Sequence, residues 1–170
     1  MRELQIRLAT AHDLPAIDDI YNHYVLHSTC TYQYEPDTAA ERQAWFGEHD
    51  AAHPITVAEL AGQVVGWGAL SWFRTRVGYR FTVEDTIYVR PDRQRRGIGR
   101  QLLADLIARA AALGHRSIVA GISAEQAPSI AIHRAFGFVE VARLREVGFK
   151  FGSWLDVVFL QRVLVDSPAP

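Results

Sequence analysis

The sequence predicts a single domain of the mixed α/β class, and three observations carry that prediction. Stretches that alternate with period two are interleaved with stretches of helical period rather than segregated from them. The apolar spacing of "GIGRQLLADLIARAAALG" marks one long amphipathic helix between two strand-like segments. The 170 residues suffice to bury one full core, and neither a repeat nor a linker divides them.

Taken in order, "LQIRL" alternates and reads as a first strand. "TAHDLPAIDDIYNHYVLHS" sets Leu14, Ile17, Ile20, Tyr21 and Tyr24 at helical spacing. Either Thr10, with Asp13 three residues on, or Asp13 itself caps this helix, and Pro15 favours the later start because proline fits a first turn. "STCTYQYEP" looks extended. Thr38 and Glu41 have capping-box spacing and open a second helix in "DTAAERQAWFGEHD". "ITVAEL" and "VVGWGALSW", joined at Ala61-Gly62, form a hairpin, and "FRTRVGYR" leads on to the strand "FTVEDTIYVRP". In the long helix Leu102, Leu103, Leu106, Ile107, Ala110 and Leu113 make one stripe, with Gly114 at the C-terminal cap. The strand "RSIVAGI", a short helix in "APSIAIHRAFG", and the strands "FVEVARL" and "WLDVVFLQRVLV" complete a domain over residues 1–165. "DSPAP", from Asp166, reads as a disordered tail.

Composition narrows the function. A net charge of −1 gives no global field toward nucleic acid or an anionic membrane. Cys30 is the only cysteine, so no intrachain disulfide forms, and neither a signal peptide nor a bilayer-spanning run is present; a cytoplasmic protein is expected. His23 with His27, and His49 with His53, have helical metal-ligand spacing but lack a third ligand, and no metal is expected.

The densest feature is "RPDRQRRGIGRQLL", residues 90–103, with five arginines around Gly97 and Gly99. It joins a strand to the start of a helix, where unpaired N–H groups and the helix dipole attract anions. Glycines let a phosphate oxygen reach the backbone, and guanidinium groups add charge-assisted hydrogen bonds. A Walker loop is excluded because no Gly-Lys-Ser/Thr follows, and the dinucleotide fingerprint lacks its third glycine. The short motif alone equally fits a solvated, arginine-rich loop; 17 of the 18 basic residues are arginine, with Lys150 the exception.

In context the motif resembles a known site. Strand, "QRRGIG", amphipathic helix, strand and "SIAIHRAFGF" resemble the acetyl-CoA site of the GNAT N-acetyltransferase superfamily. "YNHYVLHSTCTYQYEP", "FRTRVGYRFTVEDTIYV", "IHRAFGF" and "VGFKFGSWLDVVFLQ" are similar to the phosphinothricin acetyltransferase branch, which includes amino-acid N-acyltransferases acting on methionine sulfoximine. The resemblance covers roughly residues 5 to 164. It implies a mostly antiparallel sheet, splayed open at the acetyl-CoA wedge, with helices on both faces. It also implies direct acetyl transfer from acetyl-CoA, in a ternary complex, to the primary amine of a small amino-acid-like substrate, by a homodimer.

Residue by residue, the resemblance implies that the backbone of Ile87, Tyr88 and Val89 pairs with the pantetheine arm. Gln94, Arg95, Arg96, Gly97, Ile98, Gly99 and Arg100 would hold the pyrophosphate. Glu84 matches the catalytic glutamate that takes a proton from the amine. Alternation places Glu84 with Thr82 and Thr86, opposite Asp85; without the resemblance it reads as a solvent-facing strand residue. His133 either protonates the leaving thiolate or is a buried, hydrogen-bonded histidine. Gln126 stands where the family usually has asparagine against CoA. Arg74, Thr75 and Arg76 match the substrate loop, with Glu84, Asp85 and Thr86 bordering the acceptor. Tyr32 and Tyr34 either line that pocket or pack ordinarily, and Cys30 reads as a small, partly buried thiol. The competing functions are acetylation of peptide N-termini or polyamines, and a non-catalytic CoA-binding module.

Overall fold

The computed structural model describes residues 3–164; the tail from Asp166 lies outside them. The elements run β1 (Leu4–Leu8), α1 (Leu14–His27), α2 (Ala39–Gly47), β2 (Ile55–Leu60), β3 (Gln63–Trp72), β4 (Thr82–Val89), α3 (Ile98–Ala112), β5 (Ser117–Ser123), α4 (Ala127–Ala135), β6 (Val139–Lys150) and β7 (Ser153–Val163). They form one seven-stranded sheet in the order β1-β2-β3-β4-β5-β7-β6. Every pairing is antiparallel except β4 with β5.

Both candidate starts of the first helix are used. Thr10 opens a 3-10 turn, with its N–H donating to Asp13 at 2.8 Å, and α1 proper begins at Leu14 with Pro15 in its first turn. At α2 the capping box closes as its spacing predicts: Glu41 N–H donates to the Thr38 hydroxyl at 3.2 Å and Thr38 N–H to the Glu41 carboxylate at 2.8 Å. The β2–β3 hairpin turns on Ala61 and Gly62, at φ 57° and 78°, the left-handed pair of a two-residue hairpin.

Helices cover both faces. Leu14, Ile17 and Ile20 of α1 pack on Ile55, Val57, Trp67 and Ala69. On the other face Leu103, Leu106, Ile107 and Ala110 of α3 meet Leu70, Val83, Ile118 and Leu160. Burying a leucine fully contributes about 1.5–3 kcal/mol, and α3 buries Leu102, Leu103 and Leu106 to 0% exposure. Leu113 departs from the expected stripe: it is the residue just past the helix and is exposed. Two glycines of β3 set how closely α3 approaches. A Cβ on Gly66 would lie 3.2 Å from Leu102 Cδ1, and one on Gly68 3.0 Å from Leu106 Cδ1.

Two segments differ from their expected form. Residues 28–36 run as irregular chain outside the sheet, clipped to β6 and β7 through side chains. The Tyr32 hydroxyl donates to the Asp156 carbonyl at 2.8 Å, the Tyr34 hydroxyl donates to the Phe149 carbonyl, and Lys150 donates to the Ser28 and Thr31 carbonyls at 2.7 and 2.8 Å. β6 continues past Leu144 to Lys150 because register shifts, one with Glu146 at φ 52°, absorb the extra residues.

Candidate active site

β4 is paired with β3 along its whole length, from Trp72↔Val83 to Gly66↔Val89. Its pairing with β5 stops after Glu84↔Val119. The two parallel strands then part, and a cleft of about 630 Å³ opens between them. Residues 84–89 form one wall, Ala120, Gly121 and Ile122 the other, and the start of α3 and the inner side of α4 close it. Along this cleft the backbone of Ile87, Tyr88 and Val89 has no partner strand on the β5 side, so the edge can take an extended ligand as an added strand. Tyr24 reaches in from α1: its hydroxyl donates to the Val89 carbonyl and accepts from the Gln94 amide at 2.6 Å.

At the mouth of the cleft the arginines divide into two groups. Asp92 takes Arg90 at 2.6 Å and Arg93 at 3.3 Å, and the Arg100 guanidinium lies 4.9 Å over the Phe136 ring. Arg95 and Arg96 are exposed and make no ion pair among the described residues. Gly97 caps α3 at φ 80° and Arg95 sits at φ 58°, so two left-handed residues fold the loop around the helix start. The first helical bond runs from Gln101 N–H to the Gly97 carbonyl, which leaves the N–H groups of Ile98, Gly99 and Arg100 for an outside acceptor. Helix N-terminus, uncompensated guanidinium groups and open strand edge together fit a pyrophosphate joined to an extended arm. A Cβ at Gly99 would meet Val89 at 3.6 Å and Ile132 at 3.9 Å, ordinary contacts, so the glycine requirement is stricter at Gly97.

Glu84 stands where the strands part. It faces Ser71 on β3 and Val119 on β5, and its carboxylate makes no hydrogen bond among the described residues. Burial raises its pKa, the neighbouring Asp85 charge adds to this, and Arg74 opposes it. Arg74 therefore acts on Glu84 from the β3–β4 loop, where its guanidinium lies 4.8 Å over the Phe73 ring. Arg74, Thr75 and Arg76 are all exposed and none of the three lines the cleft; the Arg76 carbonyl accepts from Tyr79 N–H at 2.9 Å. Thr86 lines the cleft on the face of Glu84.

Asp85 points the other way, into the core. Its Oδ2 lies 2.9 Å from His133 Nε2, and the two side chains are 1% and 6% exposed. His133 Nδ1 faces the Ser129 carbonyl at 2.7 Å. With acceptors at both ring nitrogens, the imidazole is held as a double donor. Burial pulls its pKa down, but the Asp85 hydrogen bond and charge, with the Ser129 carbonyl, together raise it. Gln126 precedes α4 at the cleft, with its amide 3.4 Å from the Thr29 hydroxyl. Cys30 also lines the cleft, and burial raises its thiol pKa.

Sequence reasoning passed over several residues that shape this region. Gly148 leaves room for Tyr32, whose ring would lie 2.4 Å from a Cβ there, and Lys150 ties down the chain beside Cys30. The signal was present in "VGFK", the chain's one lysine two residues after a glycine, but its partners lie 119 and 122 positions away. Gly121 of β5 leaves a space that the Glu84 carboxylate and the Phe159 ring of β7 both border, and neither residue carries a sequence signal for this.

Comparison with known proteins agrees with this architecture. The model of the acetyltransferase (GNAT) family matches residues 17–138. The chain is 39% identical, over 98% of both chains, to the L-methionine sulfoximine/L-methionine sulfone acetyltransferase of Salmonella typhimurium. It is 39% identical to the phosphinothricin N-acetyltransferase of Alcaligenes faecalis, over 94% of this chain and 82% of that one. A phosphinothricin acetyltransferase of the GNAT superfamily from Sinorhizobium meliloti, solved in complex with acetyl-CoA, superposes with a TM-score of 0.91 at 41% identity, covering 95% of this chain and 88% of that one. The splayed β4–β5 pair, the glycine-capped start of α3 and these likenesses lead to one conclusion: the protein belongs to the acetyltransferase (GNAT) family and is an N-acetyltransferase whose acetyl donor is acetyl-CoA.

Proposed function

We propose that the protein acetylates the primary amine of a small amino-acid-like substrate, of the methionine sulfoximine or phosphinothricin type, by direct transfer in a ternary complex. The observation that carries this reading is Glu84: an unbonded carboxylate, its pKa raised by burial, at the point where the cleft opens, with Arg74 beside it. An α-amino group titrates near pH 8, so much of it arrives protonated at neutral pH. Glu84 takes that proton and frees the lone pair that attacks the thioester carbonyl; as the C–N bond forms the C–S bond breaks, and the CoA thiolate leaves with the second proton that the nitrogen sheds in becoming the amide. Acetyl-CoA supplies the acetyl group. Arg74 offers planar donors to the substrate's carboxylate or phosphinate. Cys30 is not a nucleophile in this scheme, since burial keeps it as the thiol.

The Ile87–Val89 edge holds the pantetheine arm, and Arg95, Arg96 and the α3 N-terminus hold the pyrophosphate, with Gln94 and Gln126 at its margins. His133 acts through Asp85 as a positioning residue that fixes β4 to α4 beneath the wedge. The protein works as a homodimer in the cytoplasm, where acetyl-CoA is supplied. Support for the dimer comes from β6, an edge strand that exposes Val139, Val141, Leu144, Val147 and Phe149, next to Trp154 of β7.

Glu84→Gln tests the reading. At neutral pH kcat falls by about 10²–10⁴-fold, the contribution of a positioned base. The deficit shrinks as pH rises and free amine forms unaided, while acetyl-CoA affinity by calorimetry stays at wild type. A wild-type kcat and pH profile, with chemistry rate-limiting, removes Glu84 from the mechanism. Arg74→Ala raises KM for the best substrate in a thiol-release screen of amino acids, their sulfoximine and phosphinate analogues and polyamines. An unchanged KM places the acid-binding group elsewhere, and turnover of polyamines alone overturns the substrate class.

A further inference from the structure

Gly121 is a glycine inside a strand, where the residue weakens the sheet and needs a reason. Its backbone does not supply one: φ is positive at Gly62, Gly97, Gly114, Gly137 and Gly152, and Gly121 is not among them. The reason is space. Ile118, Ala120 and Ile122 of β5 pack into the α3 side of the sheet, so Val119, Gly121 and Ser123 face the side that carries Glu84. A Cβ at Gly121 would lie 3.2 Å from Glu84 Oε1 and 3.2 and 3.7 Å from two ring carbons of Phe159. Phe159 is the register partner of Gly121 on β7. The Glu84 carboxylate and the Phe159 ring thus converge on the place of one missing side chain, close to where β4 and β5 part.

We propose that Gly121 is a positioning residue for Glu84: its missing side chain lets the carboxylate lie across the β5 backbone against Phe159, which fixes where the acceptor amine must sit. This deepens the reading of Glu84 as the base and rests on it. Phe159 provides an uncharged wall, so the charges that act on Glu84 remain Asp85, on its own strand, and Arg74, on the loop before it. Gly121 also belongs to the β5 wall of the cleft, so kinetics and acetyl-CoA affinity measured together distinguish a seat for Glu84 from a contact with the cofactor.

The test is Gly121→Ala in the full-length protein, with Phe159→Leu as a second variant that removes the wall without touching the glycine. The Glu84 carboxyl is titrated by carbon-13 NMR, assigned through Glu84→Gln, and kinetics and acetyl-CoA calorimetry are run on the same samples. In Gly121→Ala the added methyl pushes the carboxylate off its seat. Its titration moves toward that of an ordinary glutamate, kcat falls several-fold, since contacts at 3.2 Å displace the carboxylate by a few tenths of an ångström and a misplacement of about 1 Å would cost about 10²-fold, and acetyl-CoA affinity changes by less than about twofold. Phe159→Leu moves the titration in the same direction, and it serves alone should Gly121→Ala not fold. Placing Glu84→Asp in the Gly121→Ala background recovers part of the lost kcat, because the shorter side chain clears the methyl; in the wild-type background the same change only lowers kcat. A Glu84 titration that stays at its wild-type position in every folded variant of this set overturns the proposal. A titration that moves, together with a Glu84→Gln enzyme of wild-type kcat, leaves Gly121 as the seat of Glu84 and refutes instead the reading of Glu84 as the base.

Discussion

Glu84 and Asp85 are adjacent carboxylates on one strand, and the two faces of β4 give them opposite tasks. Asp85 points toward α3 and α4, is buried, and meets His133 at 2.9 Å. Glu84 points toward the other face, meets no donor among the described residues, and has only Arg74 as a nearby opposing charge. Both lie at the level where β4 leaves β5. On the α3–α4 side the Asp85 side chain borders the cleft yet is only 1% exposed, and a carboxylate so buried without a cation would be costly; His133 is its partner. On the open side solvent and substrate can reach the group, and partial burial raises its proton affinity. Strand alternation therefore separates a paired, buried carboxylate from an unpaired, half-buried one with a single residue step.

The anchor should dominate stability. Asp85→Ala leaves His133 in the core with its Nε2 donor unmet, and breaking a buried pair by removing one partner costs about 3–5 kcal/mol. Glu84→Ala breaks no bond seen in the structure and should unfold within about 0.5–1 kcal/mol of wild type. Urea unfolding of the two variants measures the contrast directly. Equal losses would break the comparison, because Glu84 would then carry structural load. The double variant Asp85→Ala/His133→Leu sharpens it: with both partners gone no buried charge remains, and the double should lose less than the sum of its singles. Additive losses would mean that the two residues do not act as a pair. One oxygen of the pair, Asp85 Oδ1, is buried without a hydrogen-bond partner among the described residues.

The fold was largely legible because its signals are local. The order of strands and helices, the Thr38 capping box, the Ala61-Gly62 turn and the Gly114 cap each depend on residues a few positions apart. The turn before α3 was legible for the same reason: its glycines, arginines and the start of a helix lie together in the chain. What sequence could not display were contacts between distant segments. The partition of the arginines depends on Phe136 and Asp92, and only the former is remote. Lys150 stands out as the one lysine, yet its purpose appears only where the Ser28 and Thr31 carbonyls converge on it. Two carbonyls meeting at a point suit a compact ammonium better than a planar guanidinium. Likewise the step between Glu84 and Asp85 was visible as alternation, but which face is open depends on where β5 peels away.

The smallest contrast is in the pH dependence of stability, and its sign differs from that of a salt-bridged carboxylate. Both Glu84 and His133 have pKa values raised by folding, so each favours the folded state most when protonated. For Glu84 the favourable contribution is complete below its ordinary value of 4.5 and is lost as pH rises through the higher folded value. Glu84→Gln, which stays neutral, should therefore be slightly more stable than wild type at neutral pH, with the gap closing in acid. For His133 the contribution is complete below 6.5 and is lost as pH rises through the raised folded value. Wild-type stability should then decline as pH rises above 6.5, by at most about 1.4 kcal/mol per pH unit for one proton, and His133→Asn should flatten that decline while leaving the acid step in place. Urea unfolding from about pH 4 to about pH 9 resolves the two windows. A wild-type stability that rises above pH 6.5 and falls in the His133→Asn variant would reverse the assignment, showing that the buried imidazole is held neutral and that Asp85 does not anchor it as an ion.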